Sequence, residues 1–337
     1  MKSLTIKDIA SLAHVSIGTV SRIINETGSG YSRETYERVK RVIANAGYVP
    51  NHMLRNAGAK RSHTIGLVML DIANPSLPEI ITGIEEVALA ADLDLLLCNS
   101  NDNPAREQRQ LALLLEKRVE GILLMTSALC ESRNVDELLR AGVPFVLLNA
   151  NSVNSCCNVS IDNYNGAKQL VSYLIARGHQ RIACITGPDW TEGSQPRCRG
   201  YKQALTEHNL PVVQELIVSG DDDTLSGGSQ AMQKLKGTDY TAVFACNDMM
   251  AIGVYHYLYT HGLSVPQDVS VVGFGDIPPS AMICPPLTTM HQPTVEMGRA
   301  AMRLLLQVMA QPKGTPVTSR SFPLEFMERD SVASPSR

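Results

Sequence analysis

Apolar residues follow two different patterns along the chain. In residues 5–13, 16–25 and 32–46 they recur every three or four positions, which predicts short amphipathic helices. From residue 64 onward, continuous apolar runs of four to seven residues alternate with helical stretches. Such runs are typical of strands buried on both faces of a parallel sheet. The pattern therefore predicts an all-α head followed by an α/β body.

The head has the signals of a helix-turn-helix. Thr5 and Ser16 stand where side chains cap the first two helices, and an acid follows Thr5 at capping-box spacing. A tight turn at His14 joins the two helices, which is the arrangement of a helix-turn-helix. A third helix begins after Ser32 and ends at Gly47.

The body divides into two similar halves. Strands are predicted at residues 64–70, 93–98, 121–125 and 145–148, and again at 181–186, 216–219, 242–245 and 270–274. Helices are predicted between them at residues 77–91, 105–117, 135–141, 164–176, 199–208, 227–236 and 249–261. Two doubly wound parallel sheets in one chain are typical of a periplasmic-binding-protein-like, two-lobe sensor body that holds its ligand in the cleft between the lobes.

Charge separates the same two parts. The 337 residues carry a net charge of −3, but residues 1–61 contain ten Lys and Arg against four acids, and the rest carries 20 against 29. A basic head on an acidic body indicates nucleic-acid binding. No apolar run approaches the ~20 residues of a membrane span, and the N-terminus lacks a signal-peptide pattern, so we expect a cytoplasmic protein.

In a helix-turn-helix, the N-terminal residues of the second helix contact base edges in the major groove. The outward-facing positions of this helix are Ile17, Gly18, Ser21, Arg22 and Asn25, with Thr19 beside them. The short polar groups suit phosphate contacts, and Arg22 suits bidentate recognition of guanine. The alternative is a three-helix module that binds another protein.

The order of these residues is specific to a family. The run TIKDIASLAHVSIGTVSRIIN…SRETYERVKRVIANAGYVPN resembles the DNA-binding head of LacI/GalR-family bacterial repressors over residues 4–56. The body motifs RGHQRI, NDMMAIG and VPQDVSVVGF, at residues 177–182, 247–253 and 265–274, extend the resemblance to about residue 330. The chain is most similar to the ribose- and purine-repressor branch of this family.

The resemblance implies a set of DNA-binding residues, in which Ile17, Gly18 and Arg22 read bases and residues 51–57 form a hinge helix in the minor groove. The full set is Thr5, Ser16, Ile17, Gly18, Thr19, Ser21, Arg22, Asn25, Ser32, Asn51, Leu54, Arg55 and Ala57. His14 stands where the family usually has glycine in the turn, and a left-handed histidine there costs about 1 kcal/mol. Ala57 replaces the family's intercalating leucine. The DNA kink is then shallower, or Leu54 supplies part of the wedge.

The predicted effector site lies at the carboxyl ends of the strands, where Asn, Asp and Ser suit a polyhydroxyl ligand. The expected effector-binding residues are Ser76, Leu77, Asn101, Asn149, Trp190, Arg197, Asn247 and Asp276. Arg197 matches the family's effector-binding arginine, and Trp190 either stacks on a sugar ring or plugs the space between the lobes. For Asn74 and Asn101, ordinary turn chemistry is the alternative.

Two departures from the family concern the ligand. Gly275 stands where most relatives have an aspartate, and Asp276 follows it. Either Asp276 is recruited, or the pocket admits a bulkier or differently oriented ligand. Ser76 and Leu77 replace the aromatic pair of the purine-binding type, which favours a monosaccharide or sugar acid over a nucleobase. The acidic run at residues 221–223 is predicted to be a solvated loop.

Other functional classes lack support. There is no phosphate-binding loop, no G-x-S-x-G and no H-E-x-x-H, and the eight cysteines include no C-x-x-C pair. We therefore expect no catalytic residues, no metal and no cofactor. An enzyme or a sugar-transport protein on the same two-lobe scaffold is the alternative, and a transport protein would have an export signal and no DNA-binding head.

These observations predict a homodimeric repressor that binds a pseudo-palindromic operator and responds to a small polar effector. The sign of regulation, inducer or corepressor, is open. Residues 331–337 contain no leucine heptad, so no tetramer is expected. The predicted boundaries are 1–47 for the head, 48–63 for the hinge helix and linker, 64–161 plus 293–322 for the N-terminal lobe, and 162–292 plus 323–337 for the C-terminal lobe.

Overall fold

The computed structural model describes residues 4–24, 30–48, 62–125, 133–148, 156–188, 193–312 and 318–335. The described residues up to Ser62 form one compact unit, and those from His63 onward form a second. Several predicted site residues lie outside the described parts of the chain: Asn25, Asn51, Leu54, Arg55, Ala57, Asn149 and Trp190.

The first unit contains three described helices, α1 (Ile6–Leu12), α2 (Ile17–Ile24) and α3 (Arg33–Ala46). Each helix begins after its predicted cap. The Thr5 amide donates to Asp8 Oδ2 at 2.7 Å in a capping box, and Ser16 Oγ accepts from the Thr19 amide at 3.0 Å. Ser32 Oγ caps α3 in the same way. These bonds use backbone N–H groups that a helix leaves without an internal partner.

The turn between α1 and α2 is tight because His14 is left-handed, with φ of 54°. It brings together a small core in which Ile9, Val20, Ile23 and Val39 are fully buried. All of them lie at the helical spacing that predicts the core from the sequence. The predicted helix-turn-helix and the left-handed histidine are therefore both present.

The second unit alternates strands and helices. Its described strands are β1 (Thr64–Met69), β2 (Asp94–Asn99), β3 (Gly121–Met125), β4 (Phe145–Leu148), β5 (Asn158–Ile161), β6 (Ile182–Thr186), β7 (Ile217–Ser219), β8 (Ala242–Ala245), β9 (Ser270–Val272), β10 (Thr289–His291), β11 (Arg320–Phe322) and β12 (Glu325–Met327). Its described helices are α4 (Leu77–Ala90), α5 (Pro104–Glu116), α6 (Arg133–Ala141), α7 (Asn163–Ala176), α8 (Ser194–Glu207), α9 (Leu225–Lys234), α10 (Asp248–Thr260) and α11 (Thr294–Ala310).

Two parallel sheets organise this unit into two lobes. The first has the strand order β11-β5-β4-β3-β1-β2, and the second has the order β7-β6-β8-β9. In the first sheet β1 lies between β2 and β3, and in the second sheet β6 lies between β7 and β8. The strand order therefore reverses beside β1 and beside β6. Ligands of open α/β sheets bind outside the carboxyl ends of the strands at such reversals.

The chain crosses between the lobes three times. It leaves the first sheet after Ile161, returns after His291 to α11, and leaves again between Phe322 and Glu325. The last crossing ends in an antiparallel pair in which Met290 of β10 lies opposite Phe326 of β12. The two lobes are therefore joined by three short connections, the arrangement of a hinge.

Some elements differ from those predicted. Helix α8 begins at Ser194, five residues earlier than expected, so Arg197 lies in its first turn. Helix α11 was not predicted, although its apolar residues have helical spacing. Strands β5 and β10 to β12 were not predicted either, because polar residues interrupt them and they are not continuous apolar runs. None of the described helices is long and apolar enough to cross a membrane.

Candidate functional site

The outer side of α2 presents the predicted base-reading residues. Ile17 is 44% exposed, and Gly18 and Arg22 are also exposed, whereas Val20 and Ile23 face the core. Arg22 Nε donates to the Gly18 carbonyl at 3.2 Å, so the arginine stem lies along the first turn of the helix. A cationic group and an apolar side chain at the start of an exposed helix are suited to contacts with base edges.

Hydroxyl side chains lie at the starts of all three described helices of the head. Ser16 Oγ and Thr19 Oγ1 lie 2.9 Å apart, and both residues precede or begin α2. Ser32 lies at the start of α3, while the Thr5 hydroxyl donates to Asp8 within its own capping box. Partial positive charge at the N-terminus of a helix favours phosphate, and hydroxyls add donors there.

A cavity of about 440 Å³ lies between the two lobes, within the size range of small-molecule sites. Residues that follow strands of both sheets line it. They include Leu70, Asp71, Asn74, Ser76, Leu77, Asn101, Asp102, Met125, Leu148, Arg197, Asp222, Asp223, Asn247, Asp248, Phe274 and Gln292. The strand ends of both sheets therefore meet at one site, as the fold predicts.

Arg197 is the buried cation of this cavity. Only 9% exposed, it donates from Nε to Asn163 Oδ1 at 2.7 Å and from Nη1 to the Cys246 carbonyl at 2.6 Å. Its guanidinium lies 3.9 Å from the centre of the Phe274 ring. Burial lowers the pKa of Arg197. Among the described residues none accepts a hydrogen bond from Nη2.

Asn247 and Asp248 have mainly internal partners. Asn247 Oδ1 caps α10 by accepting from the Met250 amide at 2.7 Å, and its Nδ2 donates to the Asp223 carbonyl at 3.1 Å. Asp248 is fully buried and accepts from Thr289, Ser280 and a backbone amide. Burial raises the pKa of Asp248, and these donors act in the opposite direction. Both residues therefore stabilise the loops that border the cavity.

Asp102 and Asp223 line the cavity from opposite lobes, and both side chains keep contact with solvent. Asp102 follows β2 in a left-handed conformation with φ of 52°, and its amide donates to the Leu70 carbonyl at 3.0 Å. Burial raises the pKa of Asp102, and the charge of Asp71 raises it further. Burial raises the pKa of Asp223 to about 6, with Asp102 adding to this effect and Arg197 opposing it. The charge of Asp102 therefore acts on Asp223 across the cavity.

Comparison with known proteins identifies both units. Residues 5–51 match the family described as bacterial regulatory proteins, lacI family, and residues 171–332 match a periplasmic binding protein-like domain. The ribose operon repressor of Escherichia coli (strain K12) is 36% identical over 312 residues, which cover 91% of this chain and 94% of that repressor. The chain belongs to the LacI family of bacterial regulatory proteins.

Solved structures of other LacI-family regulators have the same fold. The transcriptional regulator CelR–cellobiose complex is 32% identical, has a TM-score of 0.75, and covers 97% of this chain and 99% of its own. The lac repressor dimer bound to operator and the anti-inducer ONPF is 26% identical, with a TM-score of 0.84 and coverage of 98% and 100%. This LacI-family chain is thus a DNA-binding regulator with a two-lobe sensor body.

Five of the predicted effector residues of this LacI-family regulator line the cavity: Ser76, Leu77, Asn101, Arg197 and Asn247. Asn101 also has a left-handed backbone, with φ of 54°, so turn chemistry and cavity lining coincide there. Asn74 lines the cavity too, but its Oδ1 accepts from the Ser76 amide at 3.0 Å, which is ordinary turn chemistry.

Asp276 does not reach the cavity. Its carboxylate accepts from Arg329 Nη2 at 2.6 Å and lies 3.1 Å from His291 Nδ1. The left-handed conformation of Asp276, with φ of 58°, accompanies this placement. Asp276 therefore holds the loop after β9 to the end of the chain, and the structure does not show it replacing the family's ligand aspartate.

The acidic run at residues 221–223 is solvated as predicted at Asp221 and Asp223, which are exposed, while Asp222 is partly buried. Asp221 forms a surface ion pair with Lys234 at 3.0 Å, but Asp222 and Asp223 line the cavity. The signal was present in the sequence, because the run follows β7 and the carboxyl ends of parallel strands meet at one edge. In the described parts of the chain, no three His, Cys, Asp or Glu residues are grouped to hold a metal ion.

Proposed function

We propose that this LacI-family chain is a repressor that binds a specific operator through α2 and releases or gains it according to a sugar-like effector between the lobes. The observation that carries the proposal is the buried guanidinium of Arg197 in a cavity formed by both lobes, in a chain that also exposes a helix-turn-helix. The proposed head, hinge and lobe boundaries are those given by the sequence.

The lining suits hydroxyl groups. Arg197 Nη2 is a donor, and the carboxylates and Asn101 supply acceptors. Among the described lining residues Phe274 is the aromatic one, and the guanidinium of Arg197 covers its face, so no paired aromatic platform for a nucleobase is formed by them. Asn149 and Trp190 complete the proposed effector site. Cellobiose in the CelR complex supports a sugar as the ligand class.

The allosteric step is a change in the angle between the lobes. A ligand that touches Asp102 of one lobe and Arg197 of the other favours one lobe angle, because its contacts differ between the open and closed arrangements. The three crossings let the lobes rotate as units. We propose that the segment at residues 48–63 transmits this change to DNA, with a coupling of typically 1–3 kcal/mol.

The functional unit proposed is a homodimer on a pseudo-palindromic operator. Ile72, Leu89, Leu96 and Leu97 are large apolar side chains exposed near the β2 edge of the first sheet. Exposed apolar side chains that gather on one surface mark interaction sites, and we propose this role for the β2 edge. The lac repressor structure on operator is a dimer, which supports the same assembly for this chain. We propose no catalytic activity, and the bacterial cytoplasm, where the operator lies, as the site of action.

Arginine variants test the proposal. Arg22→Ala is expected to lose about 1–3 kcal/mol of preference for operator over scrambled DNA, because a bidentate base contact is removed. Arg33→Ala, which removes an exposed arginine paired with Glu37 on α3, is the control and should keep that preference. The measurement is fluorescence anisotropy with both DNAs at one salt concentration, because phosphate contacts make affinity depend on salt.

Arg197→Ala should bind operator normally and fail to respond to an effector found by thermal-shift screening of monosaccharides. Arg199→Ala is the matched control, since it removes an exposed arginine from the same helix. A normal response in the Arg197 variant would refute the ligand site. Equal binding of the parent to operator and scrambled DNA would refute the assignment as a sequence-specific repressor.

A further inference from the structure

We propose that the effector carries a protonated amine as well as hydroxyl groups, as an amino sugar does, and that Asp102 and Asp223 hold the amine between the two lobes. This inference rests on the proposed function, because it names the ligand class of the same cleft. It departs from the sequence-based expectation of a neutral sugar or a sugar acid.

The charges of the cavity do not balance. Its described acidic lining residues are Asp71, Asp102, Asp222, Asp223 and Asp248. Arg197 is the cation among the described lining residues, which include no lysine or histidine. A cavity of this charge disfavours an anionic ligand and attracts a cationic one, since Coulomb interactions strengthen where water is partly excluded.

Three of these acids are held by the protein itself. Asp248 accepts three hydrogen bonds as described above. Asp222 Oδ1 accepts from the backbone amides of Thr224 and Gly227 at 2.9 and 3.0 Å. Burial raises the pKa of Asp222, but these hydrogen bonds outweigh it and lower the pKa overall. Asp71 Oδ1 accepts from the amide two residues further on at 3.0 Å. These three carboxylates therefore stabilise the surrounding loops through hydrogen bonds.

Asp102 and Asp223 are different, because both are solvent-exposed residues of the cavity lining. In the described parts of the chain no group donates a hydrogen bond to the Asp102 carboxylate, and Asn247 Nδ2 reaches Asp223 Oδ1 at a long 3.3 Å. The Asp223 carboxylate packs against Gly187, where a Cβ would lie 1.9 Å from Asp223 Oδ1, so only glycine leaves room for it. One acid comes from each lobe, so a single ligand group between them would bridge the cleft.

Arg197 is an independent indication of a ligand at this place. Its side chain lines the cavity, is more than nine-tenths buried and is fixed by two hydrogen bonds, and no described residue accepts from its Nη2. A ligand hydroxyl can accept a hydrogen bond from this nitrogen. Arginine thus suits the hydroxyl part of the ligand, and the two carboxylates suit an ammonium.

Matched sugars separate charge from shape. The experiment measures the melting temperature and the calorimetric affinity of the full chain with glucosamine, glucose and N-acetylglucosamine, and with the galactose and mannose series. Each series places –NH₃⁺, –OH or an uncharged amide at the same carbon. We expect an amino sugar to bind at least ~10-fold more tightly than both of its counterparts, the size expected for a charge-assisted hydrogen bond.

Variants locate the amine. Asp102→Asn and Asp223→Asn should each remove this ~10-fold preference, because the amide keeps the shape and loses the charge. Asp221→Asn is the matched control, since it neutralises the neighbouring acid that pairs with Lys234 on the surface. Melting temperatures without ligand check that each variant folds.

Several outcomes overturn the inference. Tighter binding of a neutral sugar, failure of all three amino sugars to bind, or an equal loss in the Asp221 variant would each do so. A neutral sugar that binds the cleft and changes operator affinity would leave the proposed function intact while refuting the amine. Ligand binding without any change in operator affinity would refute the proposed function itself.

Discussion

Identical side chains have different roles at neighbouring positions. Asp221 and Asp223 are separated by one residue, yet the first pairs with Lys234 on the surface and the second lies in the interlobe cavity against Gly187. Asp222 between them accepts backbone hydrogen bonds that shape the loop. Residue type and spacing could not distinguish these roles, because the difference depends on which side of the loop meets the other lobe.

The stability of the protein should depend on pH through Asp223. Its pKa lies at about 6 in the folded chain against a usual 3.8, so the folded state holds the proton more tightly than the unfolded state does. The stabilisation is complete below about pH 4 and is lost as the pH rises through 6. Asp223→Asn cannot ionise, so its melting temperature should rise relative to the parent between pH 4 and pH 7.5.

The comparison variant for this prediction is Asp221→Asn, in which the exposed neighbouring aspartate is changed in the same way. Differential scanning calorimetry at four pH values provides the measurement. A parallel shift of the Asp223 variant and the parent would contradict the burial and charge environment assigned to Asp223.

Among the elements, helices α4 and α11 pack with very little space between them. A Cβ on Gly83 would lie 2.1 Å from the Val295 carbonyl, and a Cβ on Gly298 would lie 2.1 Å from the Ile80 carbonyl. The two helices therefore touch along their backbones. This contact holds α11, which comes late in the chain, against the first lobe.

Gly83→Ala should destabilise the second unit by about 1–3 kcal/mol, because the added methyl meets backbone that cannot move aside. The better helix propensity of alanine, about 1 kcal/mol, acts in the other direction. Urea denaturation followed by circular dichroism measures the change. Glu85→Ala on the exposed side of α4 is the control and should stay within about 0.5 kcal/mol.

The sequence predicted some elements better than others for physical reasons. The strands β3, β4 and β8 have the predicted bounds, because strands buried on both faces are continuous apolar runs. The strands β5, β10, β11 and β12 were missed because they are formed by pairing with residues far away in the chain. The first sheet therefore contains two strands more than local patterns indicate.

At the scale of the whole molecule, the exposed leucines of the β2 edge predict the oligomeric state. Leu97 is 47% exposed on β2, and we expect a second copy of the chain to cover it. Leu97→Asp should weaken the dimer at least ~10-fold, because it places an unpaired carboxylate in an apolar interface. Sedimentation velocity over a range of concentrations measures the effect.

Leu139→Asp is the control, since Leu139 is 56% exposed on α6 and is not part of the β2 edge. It should sediment like the parent. Equal weakening by the two variants would show that the leucines of the β2 edge are not a specific contact.

The candidate site was only partly predictable. The family resemblance predicted Arg197 as an effector-binding residue. The rule that ligands bind at the carboxyl ends of strands predicted Ser76 and Asn101. Asp102 and Asp223 were missed because their importance comes from lining one cavity from two lobes. Asp276 was placed wrongly because sequence position next to Gly275 says nothing about Arg329, which holds its carboxylate.

Synthesis on the ribosome exposes the parts of this chain in a fixed order. The head has its whole described core within the first 48 residues, so it can fold early. The first lobe waits much longer, because its sheet receives β11 only when Arg320–Phe322 has left the exit tunnel. A nascent chain therefore has DNA-binding helices well before it has a complete sensor. Premature termination before β11 would yield a fragment able to recognise DNA without the means to be released by its effector.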